Sequence, residues 1–142
     1  MAFNVLVVDD SAVMRSIIIR TLKLSGLPLG EVFEAGNGQD ALRVMDSQWI
    51  DLALVDINMP IMNGEEFIDH LRDNPATVDL PIIVVSTESS QTRIDSLQRK
   101  GVRFIHKPFT PEILRENIIS VTGVSNEQSF GEGSLQSSGP DF

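Results

Sequence analysis

The sequence predicts a single α/β domain built on an open parallel β-sheet with helices on both faces. Three short apolar runs are continuous rather than alternating, as in strands covered on both sides, and they span residues 5–8, 52–55 and 82–85. Segments of helical period separate the runs, so that a strand–helix unit repeats five times in about 122 residues. Because crossovers between parallel strands are right-handed, this order favours a doubly wound sheet.

Weaker apolar runs at residues 32–35 and 102–106 complete the five predicted strands. The predicted helices follow in order at residues 11–24, 39–49, 65–72, 91–100 and 110–121.

Each predicted helix has an apolar face. The first places Met14, Ile17, Ile18 and Thr21 together, and the second places Leu42, Met45 and Trp49 together. The fourth presents only Ile94 and Leu97, so we expect it to be the least securely buried of the five. The fifth opens with Thr110 and Pro111, a favourable N-cap followed by proline at the first helical position.

Composition excludes several classes of function. The 142 residues include no cysteine, which rules out disulfides, thiolate catalysis and cysteine-ligated metals. A net charge of −9 opposes direct binding of nucleic acid, because phosphate contacts need clustered Lys and Arg. No apolar run could span a bilayer, and the N-terminus does not resemble a signal peptide, so we expect a cytoplasmic protein without membrane insertion.

The domain is expected to cover residues 1–122. Residues 123–142 contain four Gly, five Ser and no Lys or Arg. Such a stretch buries too little apolar surface to offset the entropy of ordering it, which predicts a flexible tail.

Chemically active side chains gather where the predicted strands end. Asp9 and Asp10 follow the first strand, Asp56 the third, Ser86 the fourth and Lys107 the fifth. The carboxyl ends of parallel strands share one edge of a sheet, so these groups should converge. Carboxylates in one pocket repel one another, and an all-oxygen set without His or Cys favours Mg²⁺ over zinc as the neutralising ion.

The motifs at these strand ends, taken as a set, closely resemble the receiver domain of bacterial response regulators. The match covers about residues 4–122 and is carried by residues 8–11, 35–38, 56–60, 62–64, 81–87 and 107–109. Within that family the chain most resembles stand-alone receivers of the chemotaxis CheY type. The resemblance implies the flavodoxin-like strand order 2-1-3-4-5 and a cis Lys107–Pro108 bond.

The resemblance also implies roles for single residues. Asp56 matches the phosphoacceptor, and Lys107 matches the lysine that pairs with the phosphoryl group. Ser86 matches the hydroxyl that moves to that group, and Phe104 matches the aromatic residue that changes rotamer. For Mg²⁺, the matching ligands are Asp10, Asp56, the backbone carbonyl of Asn58 and, through a water molecule, Asp9.

Departures from the family pattern are mild. Threonine is commoner than serine at the position of Ser86, and Thr87 is the alternative if the alignment is shifted by one residue. Phe104 stands where tyrosine is frequent. Asn58, Thr87 and Glu88 flank the site at positions that modulate it, where the family tunes the lifetime of the phosphoryl group.

The expected function is a phosphorylation-activated two-component switch that acts in chemotaxis. A sensor histidine kinase would phosphorylate Asp56, and the fourth helix, fifth strand and fifth helix would change to bind a downstream target, such as a flagellar motor switch. The alternatives are a receiver that relays phosphate to a histidine phosphotransferase, a metal-dependent phosphatase, and a module that binds partners without phosphorylation. A phosphatase of the Asp-x-Asp type would need a second carboxylate where this chain has Asn58.

Overall fold

A computed structural model describes residues 2–123 as a five-stranded parallel sheet in the order β2-β1-β3-β4-β5. The strands are β1 (Phe3–Val8), β2 (Leu29–Ala35), β3 (Leu52–Val55), β4 (Ile82–Ser86) and β5 (Arg103–His106). The helices are α1 (Ala12–Leu24), α2 (Gly38–Ser47), α3 (Gly64–Arg72), α4 (Gln91–Gln98) and α5 (Pro111–Thr122). The predicted fold class, element order and strand order are confirmed, and the Lys107–Pro108 bond is cis. Apart from Gly123, the predicted tail lies outside the described residues.

Helices cover both faces of the sheet, and each face has its own apolar core. On one face, Leu6, Val8, Val55 and Val84 pack with the buried side chains of α2, α3 and α4, among which Phe67 is the largest. On the other face, alternate strand residues pack against α1 and α5, and these residues are Val5, Val7, Leu54, Ile83, Val85 and Ile105. Burial on both sides explains why the strand runs are continuously apolar rather than alternating.

Polar side chains fix the starts of the helices. Ser11, Asn37, Ser90 and Thr110 each accept a hydrogen bond from a backbone N–H in the first turn of the helix that follows. Asn63 forms a full capping box with Glu66 at the start of α3. These caps set where the chain turns from the sheet edge into a helix. None of the helices described between residues 2 and 123 has the length and apolar character that crossing a membrane requires.

Two predicted apolar faces were partly wrong. Trp49 is not on α2, because the helix ends at Ser47 and Gln48 is extended; its indole is 77% exposed and donates a hydrogen bond to Asp51. Ile17 is 49% exposed on α1, where Ile18 and Leu22 are the buried residues. Adjacent helical positions are turned by about 100°, so the contact face centres on Ile18 and turns Ile17 toward solvent.

Several predicted boundaries also differ from the structure. β2 begins at Leu29 because Phe3 of β1 pairs with it before a register shift. β5 begins at Arg103 and α4 ends at Gln98, each slightly inside its predicted range. The expected weakness of α4 is confirmed, since only Leu97 is buried within it.

Gly64 allows the start of α3 to return against the end of β3. Its N–H donates a hydrogen bond to the carbonyl of Ile57 (2.8 Å), and a Cβ at this position would overlap the backbone carbonyl oxygen of Asp56. The neighbour is backbone rather than a flexible side chain, so it cannot move aside without disturbing the sheet edge.

Substitution Gly64→Ala should therefore lower the free energy of unfolding by about 2 kcal/mol, the usual cost of overpacking. Urea denaturation monitored by circular dichroism measures this change. Gly36→Ala is the matched control, because a Cβ there meets only the flexible Arg15 side chain at 3.7 Å. Equal stability of the two variants would contradict the close approach described at Gly64.

Candidate functional site

Strand register brings the carboxylates together at the carboxyl-terminal edge of the sheet. Val8 of β1 pairs with Val55 of β3, so the residues that follow them, Asp9 and Asp56, leave the sheet side by side. The backbone N–H of Asp56 donates a hydrogen bond to the carbonyl of Val8 (2.8 Å), which holds the two strand ends in place. Asp10 completes the group, and one carboxylate oxygen from each of the three residues lies within 4.8 Å of the others.

Lys107 reaches this cluster from the end of β5. Its Nζ lies 3.3 Å from Oδ2 of Asp9 and 3.9 Å from Oδ1 of Asp56. Its backbone N–H donates a hydrogen bond to the carbonyl of Ser86 (2.9 Å), so the end of β4 positions the lysine. One ammonium group thus faces two carboxylates, while the third, on Asp10, lies on an exposed residue.

Asp9 is a buried charge with two partners. Only 1% of the residue is exposed, and besides Lys107 it binds the backbone N–H of Ser11 through Oδ1 (2.9 Å). Both contacts are charge-assisted, and they offset the cost of removing the carboxylate from water. These contacts hold the carboxylate of Asp9 close to that of Asp56, so that the negative charge of Asp9 acts on Asp56.

The environment raises the pKa of Asp56 above that of an ordinary aspartate. Burial is the largest cause, and the negative charges of Asp9 and Asp10 act in the same direction. Lys107 and a hydrogen bond from the backbone of Ile57 oppose the increase without cancelling it. The Asp56 side chain still has 14% of its surface exposed, so a small reagent can reach it.

The donor set fits a hard divalent cation. It contains only carboxylate oxygens, and three carboxylates meet one lysine, so that negative charge is left uncompensated. Oxygen ligands at this spacing suit Mg²⁺, which typically takes one or two carboxylates and keeps several waters. Asn58 is an exposed residue of the loop that follows β3, two residues after Asp56. The backbone carbonyl that was predicted as a Mg²⁺ ligand therefore belongs to this loop.

Ser86 and Thr87 occupy different environments at the end of β4. Ser86 is 1% exposed, and its hydroxyl oxygen accepts a hydrogen bond from the N–H of Glu88 (3.0 Å). The hydroxyl proton remains available for a second partner. Thr87 is exposed, and Glu88 turns back to accept from the N–H of Ser90 (3.1 Å).

Phe104 lies half-buried on β5. It pairs with Val84 of β4 and packs at the margin of the core that α2, α3 and α4 share. Its ring is therefore placed between the core and the surface, on the strand that leads to Lys107.

Two features of the site were missed in the sequence. Arg15 donates a hydrogen bond to the backbone carbonyl of Asp9 (2.6 Å) and pairs with Glu34 (2.9 Å), which fastens β1 to β2 beside the cluster. Ile61 has a φ of 69° and is 76% exposed in the loop after Asp56. A β-branched residue is strained in this left-handed conformation. The contact of Arg15 could have been predicted, because this residue lies in the first turn of the helix that follows Asp9. No local sequence pattern predicts the left-handed conformation of Ile61.

The raised pKa of Asp56 predicts how this residue affects stability. A carboxyl group whose pKa is higher in the folded state favours folding when protonated, and this contribution is lost as the pH rises through the folded-state pKa. Asp56→Asn should therefore raise the free energy of unfolding at pH 7 by on the order of 1 kcal/mol, and the gain should shrink toward pH 4. Urea titrations at several pH values test this expectation. Asp46→Asn, at an exposed position on α2, is the control and should show no such gain.

Comparisons with known proteins agree with this arrangement. The family model described as the response regulator receiver domain matches residues 5–119. A CheY homologue of Campylobacter jejuni, named as a chemotaxis protein, is 37% identical over 94% of this chain and 99% of its own length. Chemotaxis protein CheY1 of Helicobacter pylori is 37% identical over 87% of this chain and 99% of its own length.

Solved structures give the same result. The chemotaxis response regulator CheY4 of Vibrio cholerae superposes with a TM-score of 0.75 at 31% identity, covering 85% of this chain and 99% of that one. The family model reaches from β1 into α5 and includes Asp9, Asp10 and Asp56. The chain therefore belongs to the response regulator receiver domain family.

Proposed function

We propose that this protein is a phosphorylation-activated switch of chemotaxis, with Asp56 as its phosphoacceptor. The observation that carries the proposal is the convergence of Asp56 with two further carboxylates and with Lys107 at one solvent-accessible sheet edge. The chemotactic role is supported by relatives of nearly the same length that are named as chemotaxis proteins.

The chemistry is a transfer of one phosphoryl group. A carboxylate oxygen of Asp56 attacks the phosphorus of a phosphohistidine on a sensor kinase; the phosphorus–nitrogen bond breaks, and an acyl phosphate forms. Such transfers depend mainly on in-line positioning and on stabilisation of negative charge. Lys107 supplies a positive charge on one side of the acceptor oxygen. Water later hydrolyses the acyl phosphate at the same open site, so the domain does not turn over an external substrate as a classical enzyme does.

Asp10 and Asp56, the backbone carbonyl of Asn58 and, through a water molecule, Asp9 would hold one Mg²⁺. The ion would supply charge neutralisation for the carboxylates and for the incoming phosphoryl oxygens. Asp9 suits an indirect role because Lys107 and the Ser11 N–H already occupy its two oxygens.

Activation needs more than one interaction. The phosphoryl group brings about −1.5 to −2 units of charge and three strong acceptor oxygens. A charge-assisted hydrogen bond from the free hydroxyl proton of Ser86 contributes about 1.5–3 kcal/mol, whereas moving an equilibrium from 1:99 to 99:1 requires about 5.5 kcal/mol. Transfer of Lys107 from Asp9 to the phosphoryl group and inward packing of Phe104 would supply the remainder.

The surface that changes would be formed by α4, β5 and α5. α4 has one buried side chain, Leu97, and few packing contacts oppose its movement. The partners would be a sensor histidine kinase upstream and a flagellar motor switch downstream, and a protein with these partners would act in the cytoplasm. Thr87 and Glu88 follow Ser86 directly, and Asn58 lies two residues after Asp56; these three residues would set how long the phosphoryl group survives. The family assignment does not favour the phosphatase or the relay alternative.

Asp56→Asn should abolish phosphorylation while the fold survives, because the substitution is nearly isosteric. Incubation with acetyl phosphate and Mg²⁺ should add the mass of one phosphoryl group to the unmodified chain, and the gain should vanish with excess chelator. Intact-protein mass spectrometry measures both results, with Asp46→Asn as the control that keeps the gain. Persistent labelling of the Asp56→Asn protein would show that the acceptor is another residue.

Ser86→Ala should leave acetyl phosphate labelling intact but weaken the structural response. The loss of one charge-assisted hydrogen bond should lower the activation equilibrium constant at least about tenfold. Amide chemical shifts of β5 on addition of beryllofluoride measure the response. Thr87→Ala is the matched control at the exposed neighbour, and a larger loss in Thr87→Ala than in Ser86→Ala would reverse the two assignments.

A further inference from the structure

A cleft lies at the opposite edge of the sheet from the acidic site. It is formed where β4 and β5 begin and α5 ends, and its volume is about 560 Å³. We name it the basal cleft; it is lined by Arg72, residues 78–81, residues 98–103 and Val121.

The basal cleft is strongly cationic although the chain carries a net charge of −9. Four of the 11 Lys and Arg residues line it, against one carboxylate, on Asp79. This concentration gives the cleft a local charge opposite to that of the molecule as a whole. The four basic residues are Arg72, Arg99, Lys100 and Arg103.

Within residues 2–123, three guanidinium groups of the cleft form no ion pair with a carboxylate, although Asp79 acts on Arg72 at longer range. Arg72 donates its hydrogen bonds to backbone carbonyls, including those of Lys100 (2.8 Å) and Leu80 (2.9 Å). Arg103 donates to the neutral amide oxygen of Asn117 (3.2 Å). Arg99 is exposed, and within residues 2–123 its side chain forms neither a hydrogen bond nor an ion pair. Guanidinium groups bind carboxylates through paired hydrogen bonds, so Arg99 and Arg103 are available to an acidic ligand.

Lys100 differs from the arginines because it is already neutralised. Its ammonium pairs with Asp69 and lies 3.7 Å from Glu65. The unsatisfied positive charge of the cleft is therefore on the arginines.

Acidic residues follow the helix that ends beside the cleft. Val121 lines the cleft, and α5 ends one residue later with Gly123 in the left-handed conformation that turns the chain out of the helix. Residues 124–142 contain Glu127, Glu132 and Asp141 but no Lys or Arg. Glu127 is four residues beyond Gly123 and can reach about 14 Å from the helix end, and Glu132 can reach about 30 Å.

We propose that residues 124–142 bind the basal cleft of their own domain, with Glu127 and Glu132 paired to Arg99 and Arg103. The bound segment would cover the end of α4 and the start of β5, which belong to the surface proposed above to change on activation. The tail would then occupy one end of that surface. This inference needs neither phosphate nor metal, so its test is independent of the labelling of Asp56.

Paramagnetic relaxation measures the contact directly in the full-length chain. The sequence has no native cysteine, so Ser129→Cys provides a single attachment point for a nitroxide between the two glutamates. In low salt, the label should broaden the amide signals of residues 98–103. Changing Glu127 and Glu132 to Gln gives the baseline, because the segment stays tethered but loses its two negative charges. Since each exposed ion pair changes an equilibrium about two- to fivefold, the loss of both pairs should lower the docking equilibrium constant roughly four- to twenty-fivefold in this variant.

Charge exchange tests the pairing itself. Arg99→Glu combined with Arg103→Glu should abolish the broadening, and adding Glu127→Lys and Glu132→Lys to that protein should restore it. Reversal of two exposed arginines elsewhere, Arg20 on α1 and Arg43 on α2, should leave the broadening unchanged and is the matched control.

Three outcomes would overturn the proposal. Equal broadening in the native and neutralised tails would show that the label reports only the tether. If the exchanged charges fail to restore the broadening, the proposed pairing of the glutamates with Arg99 and Arg103 is wrong. Broadening of an isotope-labelled, nitroxide-free chain by a second, nitroxide-labelled chain would show that the cleft binds the tail of another molecule instead.

Discussion

Repulsion among three carboxylates at one edge of the sheet is the constraint on which this structure depends. Asp9, Asp10 and Asp56 have oxygens within 4.8 Å of one another, and one lysine faces two of them, Asp9 and Asp56. Like charges at this distance repel by several kcal/mol in a partly buried site. Side chains on flexible segments would move apart in response. The parallel strands prevent dispersal, since β1 and β3 are held in register by backbone hydrogen bonds and buried on both faces. The two cores therefore provide the stability that allows an unfavourable site to persist.

The same rigidity explains why the site can act as a switch. Asp9, Ser86 and the start of α3 at Gly64 are fixed by burial or by close backbone approach. The elements that lead away from the site are held less firmly, since α4 buries only Leu97 and Phe104 sits at the margin of its core. A new charge on Asp56 would thus meet a fixed set of partners on one side and movable elements on the other. Low local stability in the moving parts is a general requirement for such transitions.

Charge is segregated along the strand direction. The carboxyl-terminal edge carries the acidic cluster, whereas the amino-terminal edge carries Arg72, Arg99 and Arg103 without acidic partners in direct contact among residues 2–123. Arg72 has a clear structural role, because its guanidinium ties the ends of α4 and α3 and the approach to β4 together through carbonyl oxygens. Arg99 has no comparable structural role among residues 2–123. It is therefore the residue of the basal cleft that is most available to an acidic ligand.

The sequence by itself determined the fold class, the order of elements, the cap of the last helix and the strand ends at which reactive side chains gather. These follow from local patterns: continuous apolar runs, helical periodicity, and a polar cap, Thr110, that needs only its own neighbours. Tertiary structure decided which side of α1 is buried, that Trp49 lies outside α2, and that Arg15 fastens the backbone of Asp9. It also decided the pKa of Asp56 and the separation of Ser86 from Thr87 by burial. These properties depend on groups distant in the chain, whose approach is set by sheet register and helix packing rather than by any local pattern.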